Sequence, residues 1–200
     1  MKTTTLDLCY KGTRDYVHGT DIFNACMKSL STETELPEII DMSIHAIMRN
    51  QLCILSQTQP SSSEKFSVIF KFSRNGIENT LYLKEIEDEI KCRYEYNEEG
   101  IVEKAMINSV VKSITLEPMK QFSVIEKVVA LNKKLLSSIF KDISGKWFFA
   151  RIKLKEVPLF VRGADSAITV ALKRNLDFKI TDSTIIMDDK IVGNIYFTLV

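Results

Sequence analysis

Two periods of apolar residues run through this chain. Every second position is apolar at Ile40, Met42, Ile44 and Ala46, and again at Phe66, Val68, Phe70 and Phe72, the pattern of half-buried strands. Ile22, Phe23, Cys26, Met27 and Leu30 instead fall at i, i+1, i+4, i+5 and i+8, one stripe of an amphipathic helix. These patterns predict a strand from Thr3 to Tyr10, a polar turn from Lys11 to Gly19, and a helix with Thr20 or Asp21 as N-cap that ends within Ser31 to Pro37. A strand from Ile40 follows, continued through Leu52 to Leu55. Gln57 to Lys65 reads as a surface loop. Phe66 to Phe72 and Ile77 to Leu83 form a hairpin turned at Arg74-Asn75-Gly76, where Asn-Gly suits a tight two-residue loop.

The first of these segments recurs. An offset of 84 residues lays Tyr10 to Leu30 on Tyr94 to Ile114, with Tyr, Asn, Lys and Ser shared at Tyr10/Tyr94, Asn24/Asn108, Lys28/Lys112 and Ser29/Ser113. Met106, Ile107, Val110, Val111 and Ile114 then occupy the slots of the first helical stripe. The second copy accordingly predicts a strand at Ile90 to Tyr96, a turn at Asn97 to Gly100 and a helix from about Val102 to Leu116. Val124, Glu126, Val128 and Ala130 fall opposite the Ile40 strand. Phe122 to Phe140 also fits a helix through Val124, Val128, Leu131, Leu135 and Ile139, and the strand is preferred because the first copy alternates more clearly. Strands at Lys146 to Leu154, Ala167 to Leu172, Asp177 to Ile186 and Ile191 to Leu199 complete an antiparallel set. The last two turn at Asp188-Asp189-Lys190, and Val157 to Asp165 is a connecting loop. The division implied is 1-86 and 87-200, two units forming one compact pseudo-dimer of the α+β class.

Composition narrows the partners. Lys plus Arg number 27 against 26 Asp plus Glu, so the chain holds no charge excess to neutralise a nucleic-acid backbone or an anionic membrane. No nucleic acid and no membrane are expected as partners. MKTTTLDLCYKG lacks the apolar core of a signal peptide and no run has the length of a membrane span, so the expected location is cytoplasmic. Cys9, Cys26, Cys53 and Cys92 are widely spaced among apolar neighbours and read as reduced, buried thiols. Two histidines and no clustered cysteines argue against a metal, and GxSxG, HExxH, Walker and GxGxxG patterns are absent, so no cofactor is expected.

The one chemically suggestive loop is the first polar turn, where Asp15 and His18 lie with Tyr16, Gly19, Thr20, Asp21 and Asn24 close by. The matching turn of the second copy carries Glu98 and Glu99, which read as a solvated acidic face. His45 lies along a strand and reads as a residue of its polar side. A histidine in such a turn also serves as an ordinary cap, and Asp15 can close the turn on its own backbone.

Strand, turn, helix and then several antiparallel strands, given twice, resembles the hot-dog fold in its tandem or double form, an antiparallel sheet wrapped around two central helices. The Asp15 to Asn24 turn resembles that of the 4-hydroxybenzoyl-CoA thioesterase branch, although His18 is followed here by Gly-Thr-Asp. The resemblance implies an acyl-CoA or acyl-carrier-protein thioester as substrate and either hydrolysis or 3-hydroxyacyl dehydration as reaction. It also implies that helix amides near Gly19 to Ile22 polarise the thioester carbonyl, that Asp15 or His18 is general base or acid, and that Tyr16, Gly19, Thr20, Asp21 and Asn24 bind the substrate. A catalytically silent module that holds an acyl chain or a partner protein is the alternative. A homodimer is compatible with either, because sheet edges in that superfamily are commonly paired.

Overall fold

The computed structural model describes residues 3–30, 35–56, 65–163 and 165–200. The expected surface loop at 57–64 and most of the expected helix end at 31–34 lie outside them. The chain divides into two compact units, Met1–Tyr96 and Asn97–Val200.

The first unit contains β1 (Thr3–Thr5), β2 (Tyr10–Lys11), α1 (Gly19–Leu30), β3 (Ile39–Ile44), β4 (Asn50–Ser56), β5 (Val68–Arg74), β6 (Ile77–Glu89) and β7 (Arg93–Tyr94). Its antiparallel sheet has the order β1-β4-β6-β5-β3. Alternation decides which side each strand buries. Ile40 and Met42 of β3 are buried and stand opposite Phe72 and Phe70 of β5, one apolar row shared by two strands. The β5 to β6 turn is the expected one: Asn75 and Gly76 both have positive φ, 51° and 71°, the geometry an Asn-Gly pair adopts at low cost. Helix α1 turns Ile22, Phe23, Cys26 and Leu30 inward, and the Phe23 ring lies 6.1 Å from that of Phe70 on β5. Burial pushes the Cys26 thiol up to about 12, so it stays protonated and inert on this face.

The second unit contains α2 (Glu99–Val102), β8 (Ala105–Asn108), β9 (Ser113–Leu116), α3 (Val124–Ile139), β10 (Trp147–Leu154), α4 (Val157–Arg162), β11 (Ile168–Leu176), β12 (Ile180–Met187) and β13 (Lys190–Leu199). Its strands run β10-β13-β12-β11-β9-β8. Helix α3 lays Val124, Ile125, Val128, Leu131, Leu135 and Leu136 inward and packs on β9, β10 and β11. Strands β10 and β13 come close at Gly193, where a Cβ would stand 2.1 Å from the Lys153 carbonyl oxygen.

Four expectations are corrected here. The helix expected over Val102 to Leu116 is replaced by the four-residue α2 and the β8-β9 hairpin. The reason is local: the Asn108 side-chain oxygen accepts from Val110 N–H at 3.1 Å and Val111 N–H at 3.3 Å, and Lys112 has φ 51°. An asparagine that captures the amides after it offers the backbone an alternative to a helix. The strand expected through Val124 to Ala130 is instead the start of α3. Ser123 and Glu126 form a capping box across its first turn, a Ser-x-x-Glu signal present in the sequence. The offset of 84 residues thus sets α1 against a hairpin. The expected loop at Val157 to Asp165 contains α4, begun by Pro158 in its first turn.

The fourth correction concerns the cysteines. Cys9 and Cys92 form a disulfide with their Cα atoms 4.8 Å apart, while Cys26 and Cys53 are free and buried. The bridge joins the ends of β2 and β7, a parallel pair of only Tyr10↔Arg93 and Lys11↔Tyr94. Two residues per strand are too few to hold such a ladder alone, so the covalent link fixes it. Spacing could not reveal a pair separated by 83 residues, because only the fold brings the two ends together.

Two measurements follow. Replacing both residues, Cys9→Ser with Cys92→Ser, is expected to cost about 2–4 kcal/mol in urea unfolding, and chemical reduction of the unaltered chain should cost a similar amount. Lys127, fully buried on α3, donates to the Met119 carbonyl, and burial lowers its ammonium pKa from 10.5 although nearby Asp165 opposes the shift. The unfolded chain therefore binds more protons between the lowered value and 10.5, and folded stability rises with pH across that window. Lys127→Met should remove this increment, read as the difference between the two pH-stability curves.

Candidate functional site

Helix α1 starts at Gly19, ahead of both expected caps, Thr20 and Asp21. The His18 carbonyl accepts the Asp21 N–H at 2.9 Å and the Ile22 N–H at 3.3 Å, so His18 holds the cap position while Thr20 and Asp21 lie in the first turn. His18 is only 8% exposed. Its Nδ1 lies 2.7 Å from Thr20 Oγ1, which fixes the ring against the helix start.

The residue on which this arrangement turns is Lys11. It is fully buried at the end of β2. Its ammonium donates to Thr20 Oγ1 at 3.0 Å and to Asp21 Oδ1 at 3.2 Å, and it sits 4.1 Å from the centroid of Tyr96 and 5.7 Å from that of Tyr94. Tyr94 donates its hydroxyl to the same Asp21 oxygen at 2.8 Å. A cation beside a helix N-terminus is opposed by the helix dipole. Here the Asp21 carboxylate and the Tyr96 face offset that opposition around the buried ammonium. The second Asp21 oxygen is buried with no hydrogen-bond partner, which makes the carboxylate dependent on Lys11 for its charge balance.

The supports of the cluster come from the disulfide ladder. Gly12 N–H donates to the Tyr94 carbonyl at 2.9 Å, and Arg93 donates to the carbonyls of Gly12 and Arg14 at 2.6 and 2.8 Å. The Cys9–Cys92 bridge lies beside the two strands that carry Lys11 and Tyr94. It therefore sets the distance between the ammonium and its aromatic neighbours.

The sequence-derived candidates separate into two groups. His18, Thr20 and Asp21 come together, with Gly19 as the first helical residue between them. Asp15 does not join them: its side chain is 80% exposed and lies 3.8 Å from Arg49, itself 62% exposed. Tyr16 is half-buried on the turn, and Asn24 is exposed farther along α1. His45 is exposed just past β3, and Glu98 pairs with Lys133 at 3.1 Å. Lys11, Tyr94 and Tyr96 are the residues the sequence reading missed. Nothing in the local pattern marks a lysine in a polar turn as buried. The only signal was the recurrence of Tyr10 and Tyr94, which lie on neighbouring strands without being register partners.

Chemically, the cluster offers an imidazole held by one ring nitrogen beside the first amides of a helix, with an ammonium and a carboxylate behind it. Among the described residues no group of three or more His, Cys, Asp or Glu side chains could hold a metal ion, and no helix is long and apolar enough to cross a membrane. The coupling of the buried charges is open to direct test. Lys11→Met leaves Asp21 buried without its cation and is expected to cost about 3–5 kcal/mol in denaturant unfolding. Lys11→Met with Asp21→Asn should recover much of that loss, and a double loss equal to the sum of the two single losses would show that the two charges are not coupled.

The sequence matches no protein-family model, and no curated protein matches it. Solved structures do match. A tesB protein of Mycobacterium avium subspecies paratuberculosis superposes with a TM-score of 0.55 at 7% identity, over 96% of this chain and 91% of that one. The dehydratase domain of PpsC from Mycobacterium tuberculosis, in complex with C12:1-CoA, gives 0.49 at 8% identity over 99% and 92%. A conserved protein of unknown function with a hot dog fold, from Alicyclobacillus acidocaldarius, gives 0.46 at 8% identity over 98% and 90%. At such identities likeness speaks for the fold alone. The chain is an α+β protein with the hot-dog fold.

Proposed function

We propose that this protein processes an acyl thioester of coenzyme A or an acyl carrier protein, with the start of α1 as its site and its two units as the halves of a double hot-dog. One observation carries the reading: His18 is fastened by Nδ1 to Thr20, whose hydroxyl is held in turn by a buried ammonium. A ring fixed in this way presents its other nitrogen in one direction, which general acid-base catalysis requires of a proton carrier. The first-turn amides of α1 supply donors and a positive potential for the oxygen of a thioester carbonyl as negative charge develops there. Thr20, Asp21, Lys11 and Tyr94 act as positioning residues. Asp15 stands outside the network, and in this reading it contributes at most to binding at the rim, with Tyr16 and Asn24.

Two reactions fit this equipment. In hydrolysis His18 takes a proton from the attacking water while the α1 amides hold the oxyanion. In dehydration it takes the proton from the carbon next to the carbonyl and returns it to the departing hydroxyl. A second reading, a silent module that binds an acyl chain or a partner protein, is favoured by the burial of His18 and by the engagement of the Thr20 hydroxyl with both Lys11 and His18.

A panel of acyl-CoA and acyl-carrier-protein thioesters, with 3-hydroxyacyl members, distinguishes these readings by mass spectrometry. Release of free thiol identifies hydrolysis and loss of water identifies dehydration. His18→Gln should lower turnover by about 10²–10⁴-fold with little change in Tm, whereas Asp15→Asn should change it by less than about tenfold. Turnover that survives His18→Gln removes the proposed site. No product from any thioester, with an acyl ligand retained in native spectra, replaces the enzyme by the silent module.

A further inference from the structure

The Cys9–Cys92 bridge joins two segments that are anchored differently. The stretch that leads into β2 is laced to β4. Leu6 N–H donates to the Leu52 carbonyl at 2.8 Å, Leu8 exchanges two buried hydrogen bonds of 2.9 Å with the Gln51 amide, and the Tyr10 hydroxyl donates to the Arg49 carbonyl at 2.6 Å. β7 instead lies at the surface, with Arg93 and Tyr94 both exposed. It pairs with β2 in a two-stranded sheet of their own, through Tyr10 N–H to the Cys92 carbonyl at 3.0 Å and Gly12 N–H to the Tyr94 carbonyl at 2.9 Å. Water competes for bonds in so short and exposed a ladder. Loss of the bridge therefore frees β7 first and leaves β2 on β4.

β7 also carries parts of the ammonium cluster. Tyr94 brings its hydroxyl to Asp21 Oδ1, and Tyr96, two residues beyond the strand, brings its ring face to Lys11. Lys11 donates to the Thr20 hydroxyl that meets His18 Nδ1. Withdrawal of β7 takes a donor from Asp21 and a ring from Lys11, and the disturbance reaches the imidazole through Thr20. Both bridged cysteines are half-buried, unlike the buried Cys26 and Cys53, and access is what thiol exchange requires.

We propose that Cys9–Cys92 is a reversible redox switch for the start of α1, which holds the site in order when oxidised and releases β7 when a dithiol reduces it. As regulation of catalysis, this rests on the reading of that site as the place of thioester chemistry. In the reduction a thiolate of the dithiol attacks one sulfur, the S–S bond breaks, and its electron pair leaves on the other sulfur, which takes a proton. The second thiol of the reductant then displaces the first protein sulfur and closes its own disulfide. The chain gains two electrons and two protons, and the dithiol loses them.

Amide exchange of the full chain, followed by NMR with and without excess dithiothreitol, reads the release with no substrate present. In the reduced chain Tyr10 and Gly12 N–H should exchange about tenfold faster or more, while Leu6 and Leu8 N–H should change by less than about twofold. Oxidised dithiothreitol should restore the first pattern, and Cys9→Ser with Cys92→Ser should show the reduced pattern whether dithiol is present or not. Persistent protection at Tyr10 and Gly12 overturns the proposal, because the ladder then stands without its bridge. Protection lost at all four amides overturns it as well, because the bridge is then a staple of the whole unit. A change that oxidation does not reverse, or a double variant that still responds to dithiol, overturns it too. For a thioester that the oxidised chain turns over, reduction should slow turnover about tenfold or more. Unchanged turnover with β7 released overturns the switch and leaves the site reading intact. If no thioester is turned over, the site reading fails separately, and the His18 imidazole resonances decide the coupling. They should move on reduction, and resonances that stay in place overturn the link from β7 to α1.

Discussion

A buried ammonium needs a counter-charge and polar surfaces around it, and Lys11 imposes that need on the beginning of α1. Asp21 must sit in the first turn to balance it. Thr20 must place a hydroxyl between it and His18, and Tyr96 must present a ring face. The helix start, the aromatic strand and the disulfide are therefore one unit of structure. Altering any of them changes the distance between a charge and its partners in a region of low dielectric, where distance matters most.

The same dependence links stability to chemistry. β2 and β7 form a ladder too short to persist by backbone bonds alone, and the Cys9–Cys92 bridge keeps it in place. That ladder carries Lys11 and Tyr94, and those two side chains hold the carboxylate behind His18. Disulfides persist in oxidising surroundings and are rare in reducing ones, which sets this pair apart from the reduced thiols that sequence spacing suggested. Through the Thr20 hydroxyl the buried ion pair also reaches the imidazole of His18.

The second unit shows how one local interaction can redirect a whole segment. Its apolar positions from Met106 to Ile114 match the stripe of α1, yet Asn108 captures two following amides and the chain becomes a hairpin. The central helix forms instead at α3, where a serine and a glutamate close the first turn. Periodicity alone rated the two possibilities for Phe122 to Phe140 nearly equal. The capping box was the better guide, since it satisfies amides that any helix in that place must leave unpaired.

Strand alternation in Ile40 to Ile44, the Asn-Gly turn after Arg74, the stripe of α1 and the strand that begins at Trp147 were all written in the order of residues, because each depends on neighbours within a few positions. So was the run of His18, Gly19, Thr20 and Asp21 at the start of α1, since these residues are adjacent. The burial of Lys11, the meeting of Cys9 with Cys92 and the placement of Tyr94 and Tyr96 around an ammonium were decided only when distant strands came together. Local pattern records which face a residue prefers. Whether a charge is surrounded by protein or by water depends on everything that packs against it, and only the folded chain assembles that surrounding.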